Sequence, residues 1–401
     1  MDTTAATPQG DAPEPTPQPA PPYSLRQLTI YFLKLGTIGF GGPVALVEYM
    51  HRDLVERRGW IAEGDYRDGL ALSQLAPGPL AAQLAIYLGF VHYRVTGATA
   101  AGIAFVLPSF LMVVALGWAY VRYGGLAWVQ AVFYAVGAAV IGIIAYSAYK
   151  LTRKSIGRAP LLWAIYLVAG AVTVITESEQ VWLFLAAGLV TWLVMAPPDL
   201  RRLRGRLPAV LLVPAGLDVP GATGLDLDLL GRILAYFTYA GAFVFGSGLA
   251  IVPFLYGGVV QEHDWLTDQQ FLDAVAVALI TPGPVVITTG FIGFLLAGLP
   301  GAMVAAAATF LPAYFLTIIP APYFKKYGKQ RGVAAFVDGV TAAAIGAIGG
   351  AVIVLGRRSV VDLPTALIAV GTGVLLWKAR VPEPAIILAA AMLGLLIADS
   401  R

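Results

Sequence analysis

The sequence predicts an all-α polytopic membrane protein made of two homologous halves, an inverted repeat with broken or re-entrant helices. Three observations carry this. First, with 58% hydrophobic and 12% charged residues over 401 positions and a mean hydropathy of +0.77, the chain has more apolar surface than a soluble domain can bury. Second, one stretch is written twice. Adding 205 carries Phe40, Gly41, Trp60, Asp68, Pro77, Gly78 and Pro79 onto Phe245, Gly246, Trp265, Asp273, Pro282, Gly283 and Pro284 without a gap, and a one-residue slip then aligns Leu107-Pro108 with Leu311-Pro312. Third, the basic loop from His51 to Arg67 answers to Tyr256 to Leu272, where Glu262, Asp264 and Asp268 appear and no Lys or Arg remains. Equivalent loops of opposite charge belong on opposite sides of a membrane.

Residues 1–24 read as a disordered Pro-rich tail, lacking the basic start and apolar core of a signal peptide. Residues 25–196 form the first membrane repeat, 197–229 a polar linker with Arg201, Arg202, Arg204 and Arg206, and 230–401 the second repeat. Apolar segments fall near 26–47, 69–92, 97–121, 127–149, 160–175 and 181–196, and again near 230–255, 271–297, 300–320, 332–356, 363–377 and 384–398. The last two of each set are short for a span of about 20 residues.

Glycine and proline interrupt the first two segments of each half. Gly39-Phe-Gly-Gly-Pro43 and Ala76-Pro-Gly-Pro79 cannot continue an unkinked helix. If all twelve segments cross, Lys and Arg divide 13 to 11 between the two sides, which decides nothing. If the Pro-Gly-Pro segment of each half enters and returns, 19 collect on one side and five on the other, and the 19 side is the cytoplasm. Five crossings per half is odd, so the halves are inverted, the plan of many secondary transporters with a site at the repeat interface.

Candidate site residues follow from the breaks. Pro79 and Pro284 each open a new half-helix, leaving the amides of Leu80, Ala81, Val285 and Val286 without intrahelical partners. Free amides at a positive dipole end make an anion site; the alternative is a pair of structural kinks. Pro77, Gly78, Pro282 and Gly283 complete these turns. The glycine-rich breaks with Gly41, Gly42, Gly246, Ser247 and Gly248 either let backbone approach a ligand or let helices pack closely. Gln74, Gln83, Thr281, Thr288 and Thr289 either ligate an oxyanion or satisfy exposed backbone. Lys34 lies about 15 Å along a helix from Ser24, an intramembrane charge that is either functional or snorkelling. Glu48, Asp68 and Asp273 either carry protons or cap helices and pair with Arg52 or Arg67. Arg52 to Arg58 with Trp60 reads as an interfacial helix.

Several classes are excluded. A formal charge of +3 is too small for a nucleic-acid partner, and zero cysteines with three histidines leave no thiolate or His-based metal site. No cofactor is implied. HExxH, GxSxG and acid-rich metal motifs are absent from the chain, which argues against a membrane enzyme. A small-anion channel is the nearer rival to a carrier.

Phe40-Gly-Gly-Pro43, Trp60 and Ala76-Pro-Gly-Pro79, answered by Phe245-Gly-Ser-Gly248, Trp265-Leu-Thr and Thr281-Pro-Gly-Pro-Val-Val-Ile-Thr288, resemble the chromate ion transporter family in its long, two-domain form. The resemblance covers about residue 24 onward. It implies chromate efflux from the bacterial cytoplasm, with sulfate as a competing look-alike and a link to the proton motive force. The implied partners are a small oxyanion and the lipid bilayer, with room for a homo-oligomer. Ser247, where relatives more often carry glycine, and Leu279, where a polar residue like Gln74 is common, depart from the pattern.

Overall fold

The computed structural model describes residues 22–40, 42–177, 180–197, 226–244, 248, 251–327, 330–379 and 381–399, and no strand occurs among them. The first repeat contains α1 (Leu25–Ile38), α2 (Gly42–Met50) running into a π-helical turn (His51–Arg57), α3 (Glu63–Leu75), α4 (Leu80–Tyr123), α5 (Ala127–Ser155), α6 (Pro160–Thr176) and α7 (Val181–Met195). In the second repeat follow α8 (Leu227–Ala242), α9 (Ile251–Leu255) with a π-helical turn (Tyr256–Glu262), α10 (Asp268–Ile280), a 3-10 turn (Val285–Ile287) and α11 (Thr288–Ile318). The chain ends with α12 (Ala321–Tyr327), α13 (Arg331–Ser359), α14 (Leu363–Lys378) and α15 (Glu383–Asp399). The doubling extends to the backbone: the rare π-helical turns and helices α3 and α10 recur at the same offset of 205.

Four helical stretches, Leu80–Tyr123, Ala127–Ser155, Val285–Ile318 and Arg331–Ser359, are long and apolar enough to cross a membrane. Two of them are folded. Arg94 (φ 51, ψ −137) bends α4, and Gly298 (φ 60, ψ −149) bends α11 at the equivalent place, so each becomes two antiparallel limbs. The limbs touch backbone to backbone at Gly89 and Gly97 and again at Gly293 and Gly301, where a Cβ would overlap the facing carbonyl. Because the obstacle is main chain, it cannot rotate away. Gly89→Val is expected to destabilise by about 1–3 kcal/mol or more, read as a lower Tm of the purified protein; Gly102→Ala, facing only the Ile86 side chain, is the milder control.

Each repeat begins with two re-entrant hairpins instead of one. Tyr23 stacks on Trp60 with ring centroids 4.9 Å apart, and its hydroxyl is 2.8 Å from His92 Nδ1. The start of α1, the end of the first π-helical turn and the end of the first α4 limb therefore share one face. The sequence expectation that 26–47 crosses is corrected here. Gly39 lets the chain fold back, with Leu46 returning against Leu35 and Gly39, so that α1 and α2 lie as a hairpin with the Tyr31 hydroxyl donating to the Tyr49 carbonyl. Capping boxes at Ser24/Gln27 and Thr267/Gln270 start α1 and α10.

The second limb of α4, α5, α6 and α7 then traverse, an even count, so the parity argument for inversion fails. Inversion itself holds on contacts. Ser109 meets Pro282, Phe110 flanks Gly290 and Gly117 flanks Phe294. The first limb of α11 thus runs parallel to the second limb of α4, and its turn at Gly298 lies on the face opposite Arg94. Consequently α7 ends on the face where α1 starts and α8 begins on the other; the intervening 198–225 lie outside the described residues, as does the expected tail up to residue 21.

The halves also exchange helices. α6 and α7 pack on α13 through Gly346 at Tyr166, Gly350 at Gly170 and Gly339 at Ala187, while α14 and α15 pack on α5 through Gly142 at Ala369 and Gly394 at Ala131. Small residues let these backbones approach closely, which supplies packing energy where lipid offers no hydrophobic drive.

Candidate functional site

The two Pro-Gly-Pro turns are tied reciprocally across the repeat interface. Gly78 N–H donates to the Val244 carbonyl at 2.5 Å, and Gly283 N–H donates to the Gly39 carbonyl at 3.0 Å. Val244 is Gly39 displaced by 205, so the bonds form a pseudo-twofold pair. Both glycines require positive φ, +143 at Gly78 and +97 at Gly283. Their amides are therefore committed to protein and unavailable to a ligand. The first intrahelical-type bonds beyond the turns come from Gln83 N–H to Pro79 and from Ile287 N–H to Pro284. Leu80, Ala81, Ala82, Val285 and Val286 keep amides with no acceptor among the described residues, at the positive ends of two helices.

Other predicted residues divide between these turns and elsewhere. Gly248 (φ +70) lies against Val286, with a Cβ there 3.3 Å from Val286 Cγ2, and Gly42 (φ +73) adopts the matching conformation at the start of α2. Thr281 and Thr288 sit at the second turn, but their hydroxyls donate locally, to Ala278 and Val285, as the backbone-satisfying alternative has it. Pro77, Pro79, Pro282 and Pro284 flank the tied glycines. Lys34 and Glu48 are exposed on α1 and α2, apart from the turns. Gly41, Gly246 and Ser247 lie outside the described residues.

The acidic candidates do not pair with Arg52 or Arg67, which bond Asp53 and Glu63. Asp273 is 2% exposed and accepts from Tyr120 Oη at 2.7 Å and from Gln269 Nε2 at 2.8 Å. Tyr120 belongs to the first repeat, so this carboxylate bridges the halves. Asp68, its counterpart, is half-buried on α3 without such donors.

That difference is general. Residues 271–279 of α10 are all buried, whereas Gln74 at the end of α3 is exposed and Ala76, Pro77 and Leu80 are half-exposed. At the outer end of α10, Arg358 of α13 bonds Asp268 at 2.6 Å, bonds Glu177 after α6 and lies over the Tyr256 ring. Across the molecule Glu63, the counterpart of Asp268, is held instead within its own repeat by His51 at 2.9 Å and Arg67 at 2.7 Å, which keep its carboxyl below the ordinary carboxylate range. The outer end of α10 is clamped to α13 and to the segment after α6, whereas the matching end of α3 bonds within its own repeat.

Two contributors were not legible as partners in sequence. Ser109 donates to the Pro282 carbonyl at 2.6 Å and stands where the repeat has Ala313, an asymmetry that flags it only once the offset is known. Gln83 donates through Nε2 to the Pro77 carbonyl at 2.8 Å. No group of three or more metal-ligating side chains occurs among the described residues. A cavity of about 600 Å³ lies between α4 and α11, lined by Ile86, Val106, Phe110, Met303, Phe310 and other largely apolar side chains; no residue of the Pro-Gly-Pro turns lines it.

Inverted hairpin repeats, joined backbone to backbone at paired broken helices, define a membrane transporter in class. The chromate transporter family model matches residues 26–192 and 231–395, and the chain belongs to that family. A chromate transport protein of Cupriavidus metallidurans is 68% identical over 94% of each chain. A probable chromate transport protein of Synechococcus elongatus is 63% identical over 94% of this chain and 96% of its own, and a chromate transport protein of Pseudomonas aeruginosa is 32% identical over 94% and 93%. No solved structure matches. The relatives are transport proteins, and this chain is a multi-pass membrane transporter and not an enzyme.

Proposed function

We propose that this protein exports chromate from the bacterial cytoplasm across the inner membrane as a secondary transporter, holding the oxyanion at the free amide ends of α4 and α11, with sulfate as competitor. The observation that carries this is the reciprocal Gly78–Val244 and Gly283–Gly39 pair. It ties each Pro-Gly-Pro turn, with the positive helix end that follows it, to the broken helix of the other repeat, and supports an anion site that needs no formal cation. An inside-negative potential favours anion exit by about 2.3 kcal/mol per charge per 100 mV, so export needs no coupled ion. Should protons be coupled, Asp273 is the best placed of Glu48, Asp68 and Asp273, being buried and shared between repeats.

The test is labelled chromate uptake into inverted membrane vesicles, with and without a proton gradient and with excess sulfate. Saturable uptake that excess sulfate reduces is expected; a gradient response that Asp273→Asn abolishes would assign the coupled proton to that carboxylate, and one that persists would assign it to the substrate. Absence of uptake by correctly folded protein would withdraw chromate as the cargo.

A further inference from the structure

Gln83 is fully buried, and its Oε1 has no hydrogen-bond partner. The orientation of the amide is dictated by its neighbour. Pro77 O is an acceptor, so only Nε2 can face it, and Oε1 is necessarily the free end. The amide lies directly on the first turn: a Cβ at Gly78 would stand 2.6 Å from Gln83 Cδ and 2.7 Å from Ala313 Cβ. An acceptor left bare in a buried site destabilises the fold unless a ligand supplies the donor. Here it sits one turn into the helix whose first amides, at Leu80, Ala81 and Ala82, are donors without acceptors. The second repeat has no equivalent, since Thr288 occupies the matching position and donates to Val285.

We propose that Gln83 Oε1 accepts a hydrogen bond from the substrate's own hydroxyl and so selects a protonated oxyanion over a fully deprotonated one. This rests on the reading of the turns as the oxyanion site. Donor amides alone treat chromate and sulfate alike, because both are tetrahedral dianions. Their acids differ: hydrogen chromate keeps its last proton up to about neutral pH, whereas sulfate carries none outside strong acid. Against sulfate, Oε1 faces a lone pair with no proton between the two oxygens; against hydrogen chromate it receives the O–H. Sites built to bond a substrate hydroxyl reject the analogue lacking it strongly. The transported species is then the monoanion, which takes a proton out with it without using a protein carboxylate.

Titratable and charged groups on the surrounding elements are Arg26, Tyr31 and Lys34 on α1, Glu48 and Tyr49 on α2, Glu63, Asp65, Tyr66, Arg67 and Asp68 on α3, Tyr87, His92 and Tyr93 on the first limb of α4 with Arg94 at its bend, Asp228, Arg232, Tyr236 and Tyr239 on α8, Tyr314 on the second limb of α11, and Arg331, Asp338, Arg357 and Arg358 on α13. None bonds Gln83, and all persist in a Gln83 variant, which separates their titration from the ligand's.

The experiment is chromate transport by purified protein in liposomes, from mildly acidic to mildly alkaline buffer, with sulfate, selenate or arsenate as competitor. For the native chain, apparent chromate affinity is expected to rise as pH falls through neutrality. Arsenate, which keeps a proton at neutral pH, should compete roughly 10- to 100-fold better than sulfate or selenate. Gln83→Met, similar in volume but without the acceptor, should flatten the pH dependence and bring sulfate up to the level of arsenate as a competitor. Sulfate competing as well as arsenate at every pH, with chromate still carried, would overturn the role of Gln83 and leave the transport reading intact. No chromate transport at any pH would overturn both. The native competition series needs no variant, so a misfolded Gln83→Met does not shelter the proposal.

Discussion

Gly283→Ala is expected to abolish transport, and Ser109→Ala in the same chain to restore part of it. Gly283 adopts φ +97, and a Cβ there would land on Ser109 Oγ. Two costs are therefore separable. The left-handed backbone costs an L-residue about 1–3 kcal/mol, which no change at Ser109 relieves. The overlap with Oγ is relieved by removing the hydroxyl, since the remaining Ser109 Cβ is 3.3 Å away. Ser109→Ala alone removes one bond to the Pro282 carbonyl and should cost about 0.5–1.5 kcal/mol. Initial transport rates of the two single variants and the double variant, at matched protein in the membrane, decide it. A double variant no better than Gly283→Ala would mean that Ser109 is not the obstacle.

Thiol labelling should expose the asymmetry between the repeats with equal clarity, because the native chain has no cysteine and any introduced one reports alone. Gln74→Cys is expected to react with a membrane-impermeant thiol reagent from the basic side, where α1 starts. Leu279→Cys, its counterpart 205 residues on and 4% exposed, is expected to stay protected from both sides. Arg358→Gln should change this. Two partly exposed ion pairs and a ring contact, at about 0.5–1 kcal/mol each, hold α10 to α13 and α6, so their loss shifts the population roughly tenfold or more toward a state in which Leu279→Cys reacts from the outer side. Equal labelling of both positions in the native background would refute the difference in exposure between the end of α10 and the end of α3.

Much of this was legible before any coordinates. The doubled Phe-Gly and Pro-Gly-Pro stretches located both broken helices, because glycine and proline act on the chain within a few residues of themselves. Composition placed the chain in a bilayer, and loop charge assigned opposite sides to the halves, since both depend on residue type and not on packing. The family likeness rested on the same local motifs.

What the tertiary structure decided is contact between distant residues. That α1 returns and does not cross depends on Leu46 reaching Gly39, and the even number of crossings follows from it. Gly78 binding Val244 and Gly283 binding Gly39 could not be read from either turn alone, as each bond joins positions well over a hundred residues apart. The same is true of Tyr120 on Asp273 and Ser109 on Pro282. For Gln83, the sequence marked a polar side chain beside a break. Only the fold decided which of its two ends was satisfied, because a buried amide's preference is set by the carbonyl that it meets.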